Sequence, residues 1–141
     1  GCLEALASGP AIAQRAEGAI LQNRQSLIAQ LARGGPITPQ HVFQASRQGD
    51  SVAQDIIQQT IRFLGIGITN LIHLLNPRVI SLGGGIFLNH IDLLLEPLRQ
   101  EISQRCGYWV NLEGTRILPG KLGEESALFG VAFQVFRKIK S

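Results

Sequence analysis

The stretch Arg78-Val79-Ile80-Ser81-Leu82-Gly83-Gly84-Gly85-Ile86 decides the fold class of this 141-residue chain. Its run of β-branched and aliphatic residues follows an Asn-Pro pair that stops a helix, and this pattern predicts a short buried strand. The three glycines leave the next junction without Cβ atoms, and a further helix is expected to begin near Ile86. A strand, a glycine turn and a helix in this order indicate an α/β protein.

Helical patterns dominate the chain before this strand. A short helix is predicted over about residues 3–8, and a long one over about residues 11–31, which are rich in alanine, glutamine and leucine. Thr38 followed by Pro39 is typical of a helix start and predicts a third helix that ends near residue 47. A fourth helix is expected to begin after Asp50 or Ser51 and to end near residue 75.

The fourth predicted helix carries one apolar stripe. Its members recur at intervals of three or four residues and predict a single buried face: Ile57, Ile61, Leu64, Ile68, Leu71 and Leu75. Gly65 and Gly67 lie inside this helix, where each glycine costs up to ~1 kcal/mol relative to alanine. We therefore expect the two glycines to allow close packing against another backbone.

After the glycine run, the pattern alternates between helix and strand. One further helix is predicted over about residues 93–105, and one or two strands within residues 109–118, of which Arg116-Ile117-Leu118 is the better. A final helix begins near Glu124 and has on one face Leu128, Ala132, Val135 and Ile139. Two or three strands cannot make a parallel sheet covered on both faces, so strands from elsewhere are expected to complete it.

Composition and charge limit the class of protein. Hydrophobic residues make up 45% of the chain and charged residues 16%, which indicates a folded domain or a large piece of one. The net charge of +3 does not predict a nucleic-acid binder, because the basic residues are scattered. Their one small cluster is typical of a solvated helix end: Arg137, Lys138 and Lys140. The chain begins with Gly1 and has no methionine, so we interpret it as a fragment or a processed chain.

The cysteines and histidines contribute little by themselves. Cys2 and Cys106 lack a C-x-x-C spacing, and no secretory signal precedes them, so a cytoplasmic location is expected. No apolar stretch reaches membrane length. His73 is expected to be a packing residue, and His41 and His90 to be exposed near helix starts, so none receives a catalytic role.

Two interpretations of Gly83, Gly84 and Gly85 remain open on the motif alone. Without side chains, the backbone can approach a nucleotide or phosphate closely, and the following helix offers free N–H groups to anionic oxygens. The other interpretation is a tight turn that needs positive φ. The run matches neither a Walker A sequence nor G-x-G-x-x-G. Similarly, Cys2 alone is typical of a small buried hydrophobe, and Glu4 of a helix-dipole partner.

Four segments together are more specific than any of them alone. They are GCLEALASG at residues 1–9, NLIHLLNP at 70–77, VISLGGG at 79–85 and GEESALFG at 123–130. In order and spacing the chain resembles the ROK family of sugar kinases and sugar-responsive repressors. The resemblance implies the C-terminal part of an actin-like (RNase H-like), two-lobed ATPase fold with its active site in the cleft.

The resemblance also implies site residues. Cys2 matches the last cysteine ligand of the family's structural Zn²⁺, and Glu4 matches the carboxylate that contacts sugar hydroxyls. Gly83, Gly84 and Gly85 match the loop that lies against the adenosine and phosphates of ATP. ATP and Mg²⁺ are the implied cofactors, a hexose is the implied substrate with glucose the commonest guess, and a homodimer is expected.

The departures from the family pattern are large. The first phosphate loop (D-x-G-x-T), the N-D pair with the catalytic base and the E-x-x-H stretch are absent; all lie upstream in the family. We therefore assign no catalytic residue, and expect residues 1–141 to be the C-terminal fragment of a ROK-type sugar kinase whose N-terminal lobe is its missing partner. Phosphoryl transfer by this chain alone is not expected.

Three functions are consistent with these observations. The first is the nucleotide- and sugar-binding part of a glucokinase-like, ATP-dependent hexose kinase, which the three glycines favour. The second is the inducer-binding and dimerisation region of a ROK-type transcriptional repressor, and only this alternative involves nucleic acid. The third is an interaction module without ligand chemistry. No contact with a membrane is expected for any of them.

Overall fold

The computed structural model describes residues 2–22, 25–107 and 114–139. These ranges contain helices, one 3₁₀ turn and two short strands: α1 (Glu4–Ala7), α2 (Gly9–Leu21), α3 (Leu27–Ala32), α4 (Pro39–Arg47), α5 (Ser51–Leu75), β1 (Val79–Leu82), α6 (Gly85–Asn89), α7 (Ile91–Cys106), β2 (Arg116–Pro119), the 3₁₀ turn (Gly123–Glu125) and α8 (Ser126–Ile139). The expected order of helices, then strand, helix and strand, is confirmed. The fold is largely helical with a small sheet.

Helix α5 is the centre of the packing, because α1, α2, α4 and α7 all contact it. Asp50 caps its first turn, with a carboxylate oxygen that accepts a hydrogen bond from Ala53 N at 2.8 Å. Asn76 ends it in the left-handed conformation, directly before Pro77. Both boundaries follow the local signals in the sequence.

The predicted stripe on α5 is buried only over its first part. Ile57, Ile61 and Ile68 are 2–5% exposed, but Leu71 and Leu75 are 45% and 69% exposed. Ile72 is buried in their place. Positions three and four residues beyond Ile68 lie on nearly the same side of a helix, and the neighbouring elements decide which of them is covered.

Gly65 and Gly67 make room for side chains, so the prediction of a close backbone contact is wrong. A Cβ atom at Gly65 would lie 2.5 Å from Cγ of Glu101 on α7. One at Gly67 would lie 2.9 Å from Cδ2 of Leu3, beside α1. Each glycine therefore leaves space on α5 that a side chain of another segment occupies.

The single helix predicted over residues 11–31 is two helices. Helix α2 ends at Leu21, and α3 begins at Leu27 after the N-cap Ser26, whose hydroxyl accepts a hydrogen bond from Ile28 N at 3.1 Å. The carboxylate of Asp50 also accepts a hydrogen bond from Leu27 N at 2.7 Å. A tertiary contact thus fixes a helix start that the residue propensities alone did not indicate.

Strands β1 and β2 pair in parallel, with Val79 opposite Arg116 and Leu82 opposite Pro119. Helices α6 and α7 connect them. The prediction that β1 is buried is wrong within the described residues, since its residues alternate between exposed and half-buried and Val79 is 43% exposed. The further strand segment predicted within residues 109–113 lies outside the described residues.

Helix α8 is apolar and yet exposed. Among its described side chains, the large apolar residues are 53–73% exposed: Leu128, Phe129, Val131, Phe133, Val135 and Phe136. Among the described helices, none combines the length and the apolar character needed to cross a bilayer.

Candidate functional site

A cavity of about 270 Å³ lies between the α1–α2 corner and the glycine loop, Gly83–Gly84–Gly85. Ala7, Ser8 and Gly9 form the wall at the corner. The remaining walls consist of the glycine loop and of side chains from β1, α5, α6 and α7, nearly all of them apolar. Its size is near the lower end of small-ligand pockets, and a largely apolar lining with a few polar groups is typical of such pockets.

Gly84 and Gly83 differ in whether the backbone requires a glycine. Gly84 has φ 90° and ψ 147°, a conformation that side-chain-bearing residues rarely adopt. A Cβ atom on Gly83 would meet no described atom within 4 Å, and Gly83 has no positive φ. The turn interpretation thus holds for Gly84. Neither internal packing nor backbone strain explains why position 83 is a glycine.

The carboxyl ends of both strands meet beside this loop. Gly120 N donates a hydrogen bond to Leu82 O at 2.7 Å, which brings the segment after β2 against the end of β1. The 3₁₀ turn Gly123–Glu125 contacts α6. Two of the four segments that carry the family resemblance are therefore neighbours, at the edge where α/β proteins commonly bind ligands.

The helix after the glycines is short. Helix α6 has only five residues and ends at Asn89. A dipole summed over so few peptide units is small, so the expected attraction of anionic oxygen by this helix start is correspondingly weak. The evidence that the glycine loop is a ligand site therefore comes from the shape of the loop more than from helix α6.

Cys2 and Glu4 lie at the surface, around α1. Both are exposed and line an open groove together with Ser8 and Gln14. Ser8 also lines the cavity beside the glycine loop, so the groove and the cavity adjoin at this residue. The carboxylate predicted for sugar and the loop predicted for nucleotide consequently occupy neighbouring surfaces.

The residues around Cys2 do not by themselves fit a zinc site. Within the described ranges, no three His, Cys, Asp or Glu side chains are grouped closely enough to hold a metal ion. Cys106 is buried at the end of α7. A structural zinc ion needs about four ligands, so Cys2 can contribute only one of them.

Sequence reasoning missed Arg15 and Thr60. The guanidinium of Arg15 donates to Leu6 O at 2.6 Å and to Thr60 Oγ1 at 2.7 Å, and Thr60 lines the cavity. Burial lowers the pKa of Arg15 from its ordinary value. The signal available in the sequence was a polar residue at an inward position of α5, where Thr60 lies between Ile57 and Ile61.

The three histidines differ from their expected environments. His73 is exposed, although a packing role was predicted. His41 and His90 are half-buried, although exposure was predicted: His41 Nδ1 accepts a hydrogen bond from Thr38 N, and His90 stacks on Phe43. Burial, followed by the nearby positive charge of Arg47, lowers the pKa of His90. All three lie outside the cavity and the groove.

The fold and this site define an α/β domain with a glycine loop beside a ligand-sized cavity at the strand ends. A profile of the ROK family matches residues 1–138, and the chain belongs to this family.

The relatives include kinases and a repressor. A glucokinase of Halalkalibacterium halodurans is 35% identical over 131 residues, which cover 92% of this chain and 39% of that protein. The xylose repressor of Caldicellulosiruptor bescii is 28% identical, over 100% of this chain and 35% of the repressor. The chain thus spans less than half the length of the relatives it matches.

A solved structure gives the same family. The ROK family glucokinase from Streptomyces griseus, in complex with glucose and AMPPNP, superposes with a TM-score of 0.82 at 29% identity. The match covers 95% of this chain and 44% of the glucokinase chain.

Proposed function

We propose that this chain is the nucleotide- and sugar-binding C-terminal part of an ATP-dependent hexose kinase with a two-lobed, actin-like fold. The observation that carries the proposal is the junction at Ser8, where the groove with Glu4 adjoins the cavity with the glycine loop. Phosphoryl transfer needs a sugar hydroxyl and a nucleotide side by side. The S. griseus glucokinase with glucose and AMPPNP supports this assignment.

Each part of the site receives a role in binding. The backbone at Gly83, Gly84 and Gly85 lies against the nucleotide, whose adenosine occupies the mostly apolar cavity. Glu4 accepts hydrogen bonds from sugar hydroxyls, and its exposed position on α1 leaves it accessible. When bound with ATP, Mg²⁺ would neutralise charge on the phosphates, and no residue of this chain is assigned to hold it. No proton transfer is assigned to a residue of this chain.

Two exposed apolar surfaces of the chain are consistent with its being part of a larger protein. Parallel strands are normally covered on both faces, but β1 is partly exposed here. The six large apolar side chains on α8 form a second uncovered surface. We propose that an N-terminal part, with the catalytic base and the first phosphate loop, covers both surfaces. Additional Zn²⁺ ligands beside Cys2, a homodimer and a cytoplasmic location stay predictions.

ADP release with MgATP and a panel of hexoses tests the proposal. The full-length protein should release ADP when glucose or a similar hexose is added, whereas the 141-residue chain should release none. Absence of hexose-dependent ADP from the folded full-length protein would contradict the kinase assignment. Phosphorylation by the 141-residue chain alone would mean that a catalytic base lies among residues to which we assign none.

A repressor is the second candidate, and the xylose repressor that matches the whole chain favours it. In that case the groove at Glu4 would bind an inducer sugar, and the chain would contribute to dimerisation. The three glycines favour the kinase, because a loop without side chains leaves room for a nucleotide. Sugar-sensitive DNA binding by the full-length protein, through an additional helix-turn-helix region of about 60–80 residues, would establish the repressor.

A further inference from the structure

Helix α1 carries Glu4, but packing alone does not hold it in place. It has four residues and none of them is buried. A helix of one turn is not stable by itself in water, so tertiary contacts must fix its direction. Two such contacts are Leu3 against Gly67 and the hydrogen bond from Arg15 to Leu6 O.

Arg15 joins this helix to the wall of the cavity. One guanidinium nitrogen donates to Leu6 O at 2.6 Å, and another donates to Thr60 Oγ1 at 2.7 Å. Thr60 is 1% exposed, and its hydroxyl donates to Ile56 O at 2.8 Å, which leaves an oxygen lone pair for Arg15. The planar guanidinium suits this double contact because it presents several donors in a fixed fork.

The position of Arg15 has no explanation as an ion pair. Among the described side chains, no carboxylate contacts its guanidinium, and its Nε is buried without a hydrogen-bond partner. The guanidinium carbon lies 5.6 Å from the centroid of the Phe63 ring. A partly buried cation without a carboxylate loses hydration, and its contacts must compensate for that loss.

We infer that Arg15 is a positioning residue, which holds α1 against α5 and thereby fixes Glu4 relative to the cavity beside the glycine loop. The inference rests on the proposed function, in which Glu4 contacts the sugar. Arg15 lines neither the cavity nor the groove, and it acts through the end of α1. Loss of the two hydrogen bonds from the Arg15 guanidinium should misplace the carboxylate of Glu4 without removing it.

A double-mutant cycle in the full-length protein tests this role. Glucose affinity is measured by calorimetry, and the KM for glucose by initial rates, for the unmodified protein, Arg15→Ala, Glu4→Ala and the double variant. Arg15→Ala should weaken glucose binding about tenfold, because a misplaced Glu4 loses a charge-assisted hydrogen bond to the sugar. In the Glu4→Ala background the same substitution should have no further effect, because the group on which it acts is gone.

Three variants keep the test interpretable. Thr60→Val removes one acceptor and should reproduce part of the loss. Arg15→Lys keeps the charge but not the fork, so it should restore glucose affinity only in part. Arg47→Ala removes an arginine whose exposed side chain pairs with Asp92 away from the cavity, and it should leave glucose affinity unchanged. If Arg15→Ala does not fold, Arg15→Lys replaces it in the cycle.

The outcomes separate the two proposals. An equal loss of affinity in both backgrounds would make Arg15 a general structural residue, and no loss in either would remove its role; each result overturns the inference. Unchanged glucose affinity in Glu4→Ala would instead overturn the sugar role of Glu4, and the inference about Arg15 with it. Glucose binding by the unmodified protein establishes beforehand that a sugar site exists.

Discussion

The amide nitrogen of Gly120 lies 2.7 Å from the carbonyl oxygen of Leu82, and this hydrogen bond joins the segments that follow the two parallel strands. A Cβ atom on Gly120 would approach the same oxygen to 3.4 Å, so the segment passes close to the end of β1. Gly83 is the next residue after Leu82, and its missing side chain has open space before it. The two strand ends thus support a loop that is accessible to a ligand.

If the proposed kinase function is correct, Gly83→Val in the full-length protein should raise the KM for ATP and leave glucose affinity nearly unchanged. Its Cβ meets no described atom within 4 Å, so the added atoms should intrude on the nucleotide and not on the fold. Initial rates at varied ATP, with thermal unfolding measured alongside, check this expectation. If glucose affinity fell by as large a factor as the KM for ATP rose, the glycine run would have a purely structural role.

Gly84→Val is the matched comparison for backbone strain. Gly84 has φ 90°, so a side chain there should lower the free energy of unfolding by about 1–3 kcal/mol whether or not nucleotide is bound. Equal stability of the two variants would contradict the different reasons assigned to these neighbouring glycines.

Glu4→Ala should weaken glucose affinity by roughly 10–100-fold, which corresponds to the loss of charge-assisted hydrogen bonds. The free energy of unfolding should change by less than about 0.5 kcal/mol, because the side chain is exposed. Calorimetric titration of glucose, with Glu17→Ala as an exposed carboxylate control on α2, measures the difference. Unchanged affinity would make Glu4 a simple helix-dipole partner.

Asp50 should make stability depend on pH below about 4. Burial alone would raise the pKa of Asp50, but hydrogen bonds from Ala53 N, Leu27 N and the Ser26 hydroxyl outweigh it and hold the pKa below the ordinary value. Because the folded state has the lower pKa, this stabilisation is complete above the unfolded pKa and is lost as the pH falls through the folded one. The free energy of unfolding, measured in urea between pH 7 and pH 3, should show this loss of stability.

Asp50→Ala should remove this pH dependence and lower the free energy of unfolding at pH 7 by roughly 1–3 kcal/mol, since the buried amide of Ala53 and the half-buried amide of Leu27 lose their acceptor. Asp92→Asn is the control, because Asp92 forms an exposed ion pair with Arg47 that contributes little. A pH dependence that persists in Asp50→Ala would assign the effect to other carboxylates.

Zinc content should depend on Cys2 only in the full-length protein. One thiolate cannot close a tetrahedral site, so the 141-residue chain should contain no stoichiometric zinc, whereas the full-length protein should contain one zinc ion per chain. Cys2→Ser should release that ion, and Cys106→Ala should retain it, as metal analysis of the dialysed proteins would measure. Stoichiometric zinc in Cys2→Ser would exclude Cys2 as a ligand.

Local signals sufficed for many features of the fold. Thr38 with Pro39, Asp50, and Asn76 with Pro77 mark helix boundaries that the structure confirms. The glycine loop also lies at the predicted junction of strand and helix. Such signals act through capping and allowed dihedral angles within a few residues, which is why the sequence alone determined them. Membership of the ROK family, expected from four short segments, is likewise confirmed.

Contacts between distant residues decided the rest. Asp50 reaches Leu27 across 23 positions and starts a separate helix, and Arg15 reaches Thr60 across 45 positions to join α2 to α5. The choice between Leu71 and Ile72 as the buried residue, and the meeting of groove and cavity at Ser8, also depend on how elements pack. Helical periodicity limits which side of an element is inward, but only the packed neighbours determine what each side chain contacts.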